Sequence, residues 1–182
     1  MCIRDSVWIK AHLFAAAFFT PVLVVIAISG GLYLLGFKGS VEETTIPTPA
    51  GASLNLDSDT LDADVARLLA DAGISHEFEY LRAGGNSLTT RPTSTTYYVL
   101  AATADGVKIS KQVPSLQKSM IELHKGHGPV LFKEFQKFMA LALLFVLLSG
   151  TWLGLSSKGL RNKTIATMGG GLLAFIMLAF IL

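Results

Sequence analysis

Residues 11–37 read AHLFAAAFFTPVLVVIAISGGLYLLGF and contain no Asp, Glu, Lys or Arg. Residues 138–155 and 164–182 are likewise free of these charged side chains. A bilayer core needs about 20 apolar helical residues, with about 17 as the lower limit. All three stretches meet this requirement, so the sequence predicts a membrane protein with three transmembrane helices.

These spans divide the chain into five predicted segments. They are transmembrane helix 1 (8–38), an extracytoplasmic α+β domain (39–131), transmembrane helix 2 (132–156), a cytoplasmic basic loop (157–163) and transmembrane helix 3 (164–182). The first apolar run is much longer than the about 7–15-residue core of a signal peptide, so we interpret it as an anchor. Pro21 is expected to kink this anchor, because proline removes a backbone hydrogen bond.

The polar segment predicts two helices. Apolar residues recur at helical spacing between Asp57 and Ala72, with Asp57 or Ser58 as the expected cap and Gly73 as a stop signal. A second helix is predicted from Pro114-Ser115 to about His124. The expected buried stripe of the first helix consists of Leu61, Val65, Leu68, Leu69 and Ala72.

Between these helices, runs rich in β-branched and aromatic residues predict three or four antiparallel strands. They cover residues 76–81, 87–91, 95–100 and 107–109, with turn signals at Gly84-Gly85-Asn86 and Asp105-Gly106. Residues 42–49, EETTIPTP, are polar and contain two prolines, so they are predicted as a linker. The predicted fold class is an α-helical membrane protein with three transmembrane helices and a small α+β domain between helices 1 and 2.

Charge and motifs exclude several function classes. Residues 39–134 carry 12 acidic and 8 basic side chains, so the chain lacks the dense basic face that nucleic acid requires. No nucleophile elbow, Walker loop, Rossmann fingerprint or HExxH motif is present, and no catalytic residue is assigned. The one cysteine, Cys2, lies in MCIRDS (1–6), which resembles a translated adapter sequence. We therefore expect the natural start to lie elsewhere and give Cys2 no role.

Three histidines lie near the ends of the predicted spans. His12 begins the first, and His124 and His127 belong to ELHKGHG (122–128), which precedes the second. His124 and His127 are spaced to share a helical face and to hold a metal ion, with Glu122 or His76 as a further ligand. Alternatively, His12 and His124 ligate haem b with partners from another subunit, because about 30 Å of bilayer separates them. The structural alternative places all three rings at the headgroup level without a ligand.

A weak repeat relates the first two spans. Ser29-Gly30 is followed by Lys38-Gly39, and Ser149-Gly150 is followed at the same distance by Lys158-Gly159. The two helices would run in opposite directions, which is an arrangement found in transporters. The alternative is coincidence, because small residues and a terminal lysine recur in many spans.

Four motifs resemble those of the PepSY-associated transmembrane family. Residues 8–14, WIKAHLF, and 28–34, ISGGLYL, are similar to the family's first helix, where a basic residue and His precede a span that ends in a small residue and Gly. Residues 121–128, IELHKGHG, and 147–155, LLSGTWLGL, are similar to the two ends of its second helix. The block between them resembles an extracytoplasmic PepSY-like domain.

This resemblance implies a bacterial inner-membrane protein with its domain in the periplasm. The basic loop of Lys158, Arg161 and Lys163 would then remain in the cytoplasm. The leading hypothesis is a non-enzymatic accessory protein that binds a partner or ligand; its expected partners are the bilayer and another membrane or periplasmic protein. The runner-up is a haem-binding redox subunit for ferric siderophores in iron uptake, and the third is a transporter fragment. Larger relatives that resemble such reductases have four or more spans and histidines deep within them, and this chain has neither.

Overall fold

The computed structural model describes residues 3–48, 52–56, 58–104 and 106–181. Cys2, the expected cap Asp57 and the turn residue Asp105 lie outside the described residues. The helices are α1 (Ile3–Leu34), α2 (Leu61–Asp71), α3 (Leu116–His124), α4 (Val130–Ser156) and α5 (Arg161–Ile176), and α5 continues as a π-helical turn (Met177–Ile181). The strands are β1 (Val41–Ile46), β2 (Tyr80–Gly84), β3 (Ser87–Arg91), β4 (Tyr97–Thr103) and β5 (Gly106–Pro114).

Among the described residues, three helices are long and apolar enough to cross a membrane. Their spans are Val7–Leu34, Val130–Ser156 and Arg161–Ile181. Large apolar side chains on them, such as Phe14, Leu148 and Phe180, are 70% or more exposed. Apolar surface of this extent is stable in lipid rather than in water. The prediction of three transmembrane helices with a sheet-containing segment between the first two is confirmed.

The chain forms two compact units. One contains the residues up to Val22 together with those from Lys137 onwards, and the other is Leu23–Gln136. Within the first unit, α4 and α5 approach closely: a side chain added at Gly154 would place its Cβ 2.7 Å from Thr164 Oγ1. The second unit contains the last turns of α1, the whole sheet, α2, α3 and the first turns of α4.

The sheet of the second unit has five antiparallel strands in the order β1-β5-β4-β3-β2. Its core lies between the sheet and α2, whose Val65 and Leu69 are fully buried. Leu88, Leu100 and Ile109 face them from three adjacent strands, because alternate residues of a strand share one face. The predicted stripe of α2 is confirmed, and its partly buried members Leu61, Leu68 and Ala72 pack against the same core.

Two predictions about the strands are corrected. The segment that begins at Glu42 is not a linker up to Ile46, because β1 pairs with β5 and Val41 lies opposite Pro114. Residues 76–79 of the predicted strand 76–81 are not in a strand, since β2 begins at Tyr80, which pairs with Arg91, the last residue of β3. The sheet therefore has five strands rather than three or four.

Helix α3 begins where the sequence predicted. Ser115 Oγ accepts hydrogen bonds from the backbone N–H of Lys118 at 3.4 Å and of Ser40 at 3.0 Å. The first bond satisfies a free amide at the helix N-terminus, and the second ties the segment after α1 to that terminus. Ser115 thereby fixes the position of α3 beside the end of α1.

Candidate functional site

A carboxylate, Glu122, lies near the C-terminal end of α3 with its side chain only 9% exposed. One oxygen, Oε2, accepts a hydrogen bond from the Thr93 hydroxyl at 2.8 Å and lies 2.7 Å from His127 Nδ1. The other, Oε1, lies 3.0 Å from Lys118 Nζ, one helical turn away. Both oxygens of this buried carboxylate are therefore occupied by partners on three different segments of the domain.

Two further cations surround the same carboxylate. Lys125 Nζ lies 3.9 Å from Oε1 of Glu122, and Arg91 Nη1 lies 3.9 Å from its Oε2. Arg91 also donates a hydrogen bond to the Thr93 hydroxyl at 2.7 Å, and that hydroxyl donates onward to Glu122. A backbone hydrogen bond also joins the two segments that hold Thr93 and His127: the N–H of Thr93 donates to the carbonyl of His127 at 3.1 Å.

These contacts determine the protonation of Glu122. Burial by itself raises the pKa of the carboxyl, but hydrogen bonds from His127, Lys118 and Thr93 and the charge of Lys118 outweigh it. The result is a pKa lowered from 4.5 to about 2. Glu122 is therefore an ionised structural acceptor at neutral pH and unsuited to act as a general acid.

Burial also shifts the pKa of two other groups in the domain. Burial raises the pKa of the Tyr97 hydroxyl; the charge of Lys118 opposes this effect, and the charge of Glu122 adds to it. Burial lowers the pKa of His76, which favours its neutral form. The His76 ring lies 4.7 Å from the ring of Tyr98, centre to centre, and its Nε2 is 3.4 Å from Thr90 Oγ1.

The structure gives His124 and His127 different surroundings. Helix α3 ends at His124, and Gly126, with φ +76°, turns the chain before His127. His127 therefore does not continue the helical face of His124, and its Nδ1 faces Glu122. The His124 ring instead lies next to α1, where a Cβ added at Gly30 would be 3.5 Å from its Cε1.

The predicted metal site at His124 and His127 stays a prediction. Of the two further ligands considered, Glu122 is placed against His127, and His76 is hydrogen-bonded to Thr90. In the part of the chain that the structure describes, no group of three or more His, Cys, Asp or Glu side chains is arranged to hold a metal ion.

The third predicted site residue, His12, belongs to the first unit. Its Nδ1 lies 2.9 Å from Ser149 Oγ on α4. The Ser149 hydroxyl donates its proton to the backbone carbonyl of Phe145 at 2.6 Å, so its oxygen accepts from His12. The neutral tautomer that completes this bond carries its proton on Nδ1 and has Nε2 as an acceptor or ligand atom.

Each Ser-Gly pair of the weak repeat has a histidine as its neighbour. A Cβ at Gly150 would lie 3.1 Å from His12 Cε1, as one at Gly30 would lie 3.5 Å from His124 Cε1. The glycines thus leave room for an imidazole ring. The spacing of the two Ser-Gly pairs was visible in the sequence, but their pairing with His124 and His12 was not.

Helix α3 also bonds to residues of both membrane helices that border the domain. Gln117 Nε2 donates to the carbonyls of Ser29 at 3.2 Å and Phe37 at 3.1 Å, at the end of α1. Gln136 Nε2, on the first turns of α4, donates to the carbonyl of Leu123 at 2.8 Å. Sequence reasoning missed both glutamines, because a single Gln carries no local motif.

The sheet makes its own contacts with α4. The carboxylate of Glu79, just before β2, accepts a hydrogen bond from the backbone N–H of Val130 at 2.6 Å. Lys133 donates to the hydroxyl of Tyr80, and its ammonium lies 4.0 Å from the centre of that ring. The first turns of α4 are thereby attached to both α3 and the edge strand β2.

Comparison with known families gives one match. The family model described as "PepSY-associated TM region" matches residues 9–177. No curated protein and no solved structure shows significant similarity to the chain.

Proposed function

Because the chain belongs to the family of proteins with a PepSY-associated TM region, we propose that it is a membrane accessory protein that performs no catalysis itself. In this proposal the PepSY-like domain, residues 39–131, lies on the periplasmic side of a bacterial inner membrane and binds a partner protein or ligand. The three membrane helices hold the domain at the bilayer. The loop between α4 and α5, residues 157–160, and the first turn of α5 lie on the cytoplasmic side.

The observation that carries this proposal is the attachment of α3 to both membrane helices that border the domain. Gln117 bonds to the end of α1, and Gln136 of α4 bonds to Leu123 at the end of α3. Glu122, near the same end of α3, holds the loop before β4 through Thr93. A ligand that shifts the sheet would therefore act on the ends of α1 and α4 through direct bonds.

The edge strands offer the partner a place to bind. An edge strand presents unpaired backbone N–H and C=O groups, to which an extended partner segment can add as a further strand. On β1, Glu42 and Glu43 are exposed and discourage such pairing by their charge and solvation. On β2, residues Arg82 to Gly84 are exposed and include no acidic side chain. We assign the partner contact to the β2 edge.

Site-specific photo-crosslinking in native membranes tests this assignment. A photo-reactive amino acid in place of Arg82 should give a discrete adduct with one partner protein, and the same substitution of Thr44 on β1 serves as the control. Both positions are exposed and lie on opposite edges of one sheet. Adducts of equal intensity from both positions, or from neither, contradict the β2 assignment.

Orientation is inferred from the distribution of basic residues. Lys158 lies in the short loop between α4 and α5, and Arg161 and Lys163 lie in the first turn of α5. Short loops rich in Lys and Arg are retained in the cytoplasm, whereas long loops cross the membrane largely regardless of their charge. This rule supports a periplasmic position for the domain.

A second candidate function is a haem-binding redox subunit. The supporting observation is the bond between His12 and Ser149, which leaves Nε2 of His12 available as a ligand atom. His12 is the one histidine in its unit, so the second axial ligand would come from another subunit. His124, with its ring beside Gly30, would need a further partner in the same way.

Absorption spectroscopy of purified membranes separates the two candidates. The accessory function predicts membranes without b-type Soret and α bands attributable to this protein. Reduced b-type bands that disappear in the His12→Gln variant would establish the redox alternative. The transporter interpretation depends on the Ser-Gly and Lys-Gly repeat and stays a prediction.

A further inference from the structure

A cavity of about 180 Å³ lies where α3 meets the last turns of α1. Its lining consists of Gly30, Tyr33, Ile121, His124 and Lys125. Most of this lining is apolar, since Gly30 has no side chain and Ile121 and the ring of Tyr33 are hydrocarbon. The polar groups of the lining residues are the His124 ring, the Lys125 ammonium and the Tyr33 hydroxyl.

The ammonium groups of Lys38 and Lys125 both lie near the ring of Tyr33. Lys38 Nζ lies 5.5 Å from the ring centre, and Lys125 Nζ lies 5.7 Å from it. Attraction between a cation and the face of an aromatic ring holds such groups in place without neutralising them. Lys125 therefore lines the cavity itself, and Lys38 lies beside it at the ring of Tyr33.

The protein supplies too few anions for these cations. Glu122 is the acidic partner of Lys125, but Lys118 already occupies the same oxygen at 3.0 Å while Lys125 lies at 3.9 Å. The Lys125 side chain is 46% exposed. Lys38 forms no ion pair with any residue that the structure describes. A negatively charged ligand at the cavity would therefore find two incompletely paired ammonium groups.

The cavity lies at the end of a membrane span. Tyr33 belongs to the span Val7–Leu34, and the apolar side chains that follow it, Leu34, Leu35 and Phe37, are 63–85% exposed. Tyrosine is enriched at the level where lipid headgroups meet the hydrocarbon core. An occupant of this position is surrounded by lipid, with its charged end at the lysines and its apolar part beside the span.

We propose that this cavity, here called the Tyr33 cavity, binds one anionic phospholipid of the surrounding bilayer. Lys38 and Lys125 hold the phosphate, and the His124 ring donates a further hydrogen bond. The glycerol and upper acyl carbons lie against Tyr33, Ile121 and the open face at Gly30. Basic pockets between membrane helices on the matrix or cytoplasmic side bind anionic headgroups through the same kind of contact. This proposal depends on the membrane spans and not on the accessory function.

Native mass spectrometry of the full chain in detergent micelles tests the proposal. The protein is titrated with dioleoylphosphatidylglycerol and, separately, with dioleoylphosphatidylcholine. We expect one phosphatidylglycerol molecule to bind in preference to phosphatidylcholine. Because a lysine that contacts the lipid phosphate contributes about fivefold in affinity, the Lys38→Gln/Lys125→Gln variant should bind phosphatidylglycerol about 25-fold more weakly.

A matched control removes the same charge elsewhere. Lys10 and Lys158 are exposed and do not line the Tyr33 cavity, so Lys10→Gln/Lys158→Gln should leave the affinity of this site within about twofold of wild type, because separated exposed charges are screened. An equal loss in both double variants would show that general surface charge attracts the lipid. Equal binding of phosphatidylglycerol and phosphatidylcholine would likewise overturn the proposal.

Two further measurements address the apolar part and the source of the phosphate. Gly30→Leu fills the cavity while retaining both lysines, and it should weaken phosphatidylglycerol binding at least fivefold. If circular dichroism shows that Gly30→Leu is unfolded, the comparison of the two double lysine variants alone tests the lipid site. Inorganic phosphate or glycerol 3-phosphate that competes with the lipid at equal concentration would identify a soluble anion as the ligand and refute the lipid assignment.

Discussion

The imidazole of His12 and the hydroxyl of Ser149 form a hydrogen bond of 2.9 Å between α1 and α4. The two residues are 137 positions apart in the sequence, and both belong to helices that are long and apolar enough to cross a membrane. A polar side chain in lipid has no water to bond with, so a partner on a neighbouring helix stabilises their association. In the same unit Trp8 packs near Phe145, with ring centres 6.2 Å apart.

Ser149→Ala removes the acceptor for His12. We expect the association of α1 with α4 to weaken by about 0.6 kcal/mol, the average for interhelical hydrogen bonds in membranes. Titration with a denaturing detergent, followed by the fluorescence of Trp8 and Trp152, measures this change. Thr167→Ala is the control, because the Thr167 hydroxyl donates to Lys163 on its own helix. Equal losses in both variants would contradict an interhelical role.

Glu122→Gln removes the charge from the centre of the domain's ionic cluster. The nearby cations Lys118, Lys125 and Arg91 would lose their shared counter-ion, and the weakened hydrogen bonds to the charged carboxylate should cost about 2 kcal/mol. Thermal unfolding of the full chain in detergent, followed by far-ultraviolet circular dichroism, measures the loss. Glu77→Gln is an exposed control and should change stability by no more than about 0.5 kcal/mol.

The same carboxylate makes the protein sensitive to acid. A carboxyl with a lowered folded-state pKa stabilises the fold above its unfolded pKa, and this contribution is lost as the pH falls toward the folded pKa. For Glu122 the contribution is complete above about pH 4.5 and declines toward about pH 2. The stability difference between wild type and Glu122→Gln should therefore be constant from pH 8 to about pH 5 and shrink below it. A difference that does not depend on pH down to about pH 3 would show that the carboxylate is not held in its charged form.

Gly39 is expected to tolerate substitution less than Gly36. Both have positive φ, +69° and +92°, so alanine costs each about 1–2 kcal/mol of backbone strain. At Gly39 the added Cβ would also lie 2.5 Å from the backbone nitrogen of Lys118, whereas at Gly36 it meets no atom within 4 Å. We expect Gly39→Ala to destabilise the protein by about 2 kcal/mol more than Gly36→Ala in the same thermal assay. Equal effects would show that the start of α3 can move away.

The periplasmic position of the domain can be tested by cysteine labelling. Ser75 and Lys158 are both exposed, and each is replaced by Cys in a Cys2→Ser background. An impermeant maleimide added to intact spheroplasts should label Ser75→Cys at once and Lys158→Cys only after permeabilisation, because the basic loop is retained inside. The reverse pattern would place the domain in the cytoplasm.

Local sequence predicted the elements whose signal is contained within them. The three spans follow from an uninterrupted run of apolar residues, since transfer into lipid depends on the summed hydrophobicity of one helix. The stripe of α2 follows from its helical periodicity, and the start of α3 follows from Pro114-Ser115. The strand β3, Ser87–Arg91, lies where the sequence placed it, because a turn signal and β-branched residues agree there.

Tertiary structure decided the remainder. Strand β1 has no hydrophobic alternation, because its central residues are exposed on both faces, and only pairing with β5 makes it a strand. The polar contacts likewise depend on tertiary structure and not on local sequence. Glu122, Thr93 and His127 are brought together by the sheet and two loops, and His12 meets Ser149 only when two helices pack. A hydrogen bond depends on distances between atoms far apart in the chain, and residue type and spacing do not contain those distances.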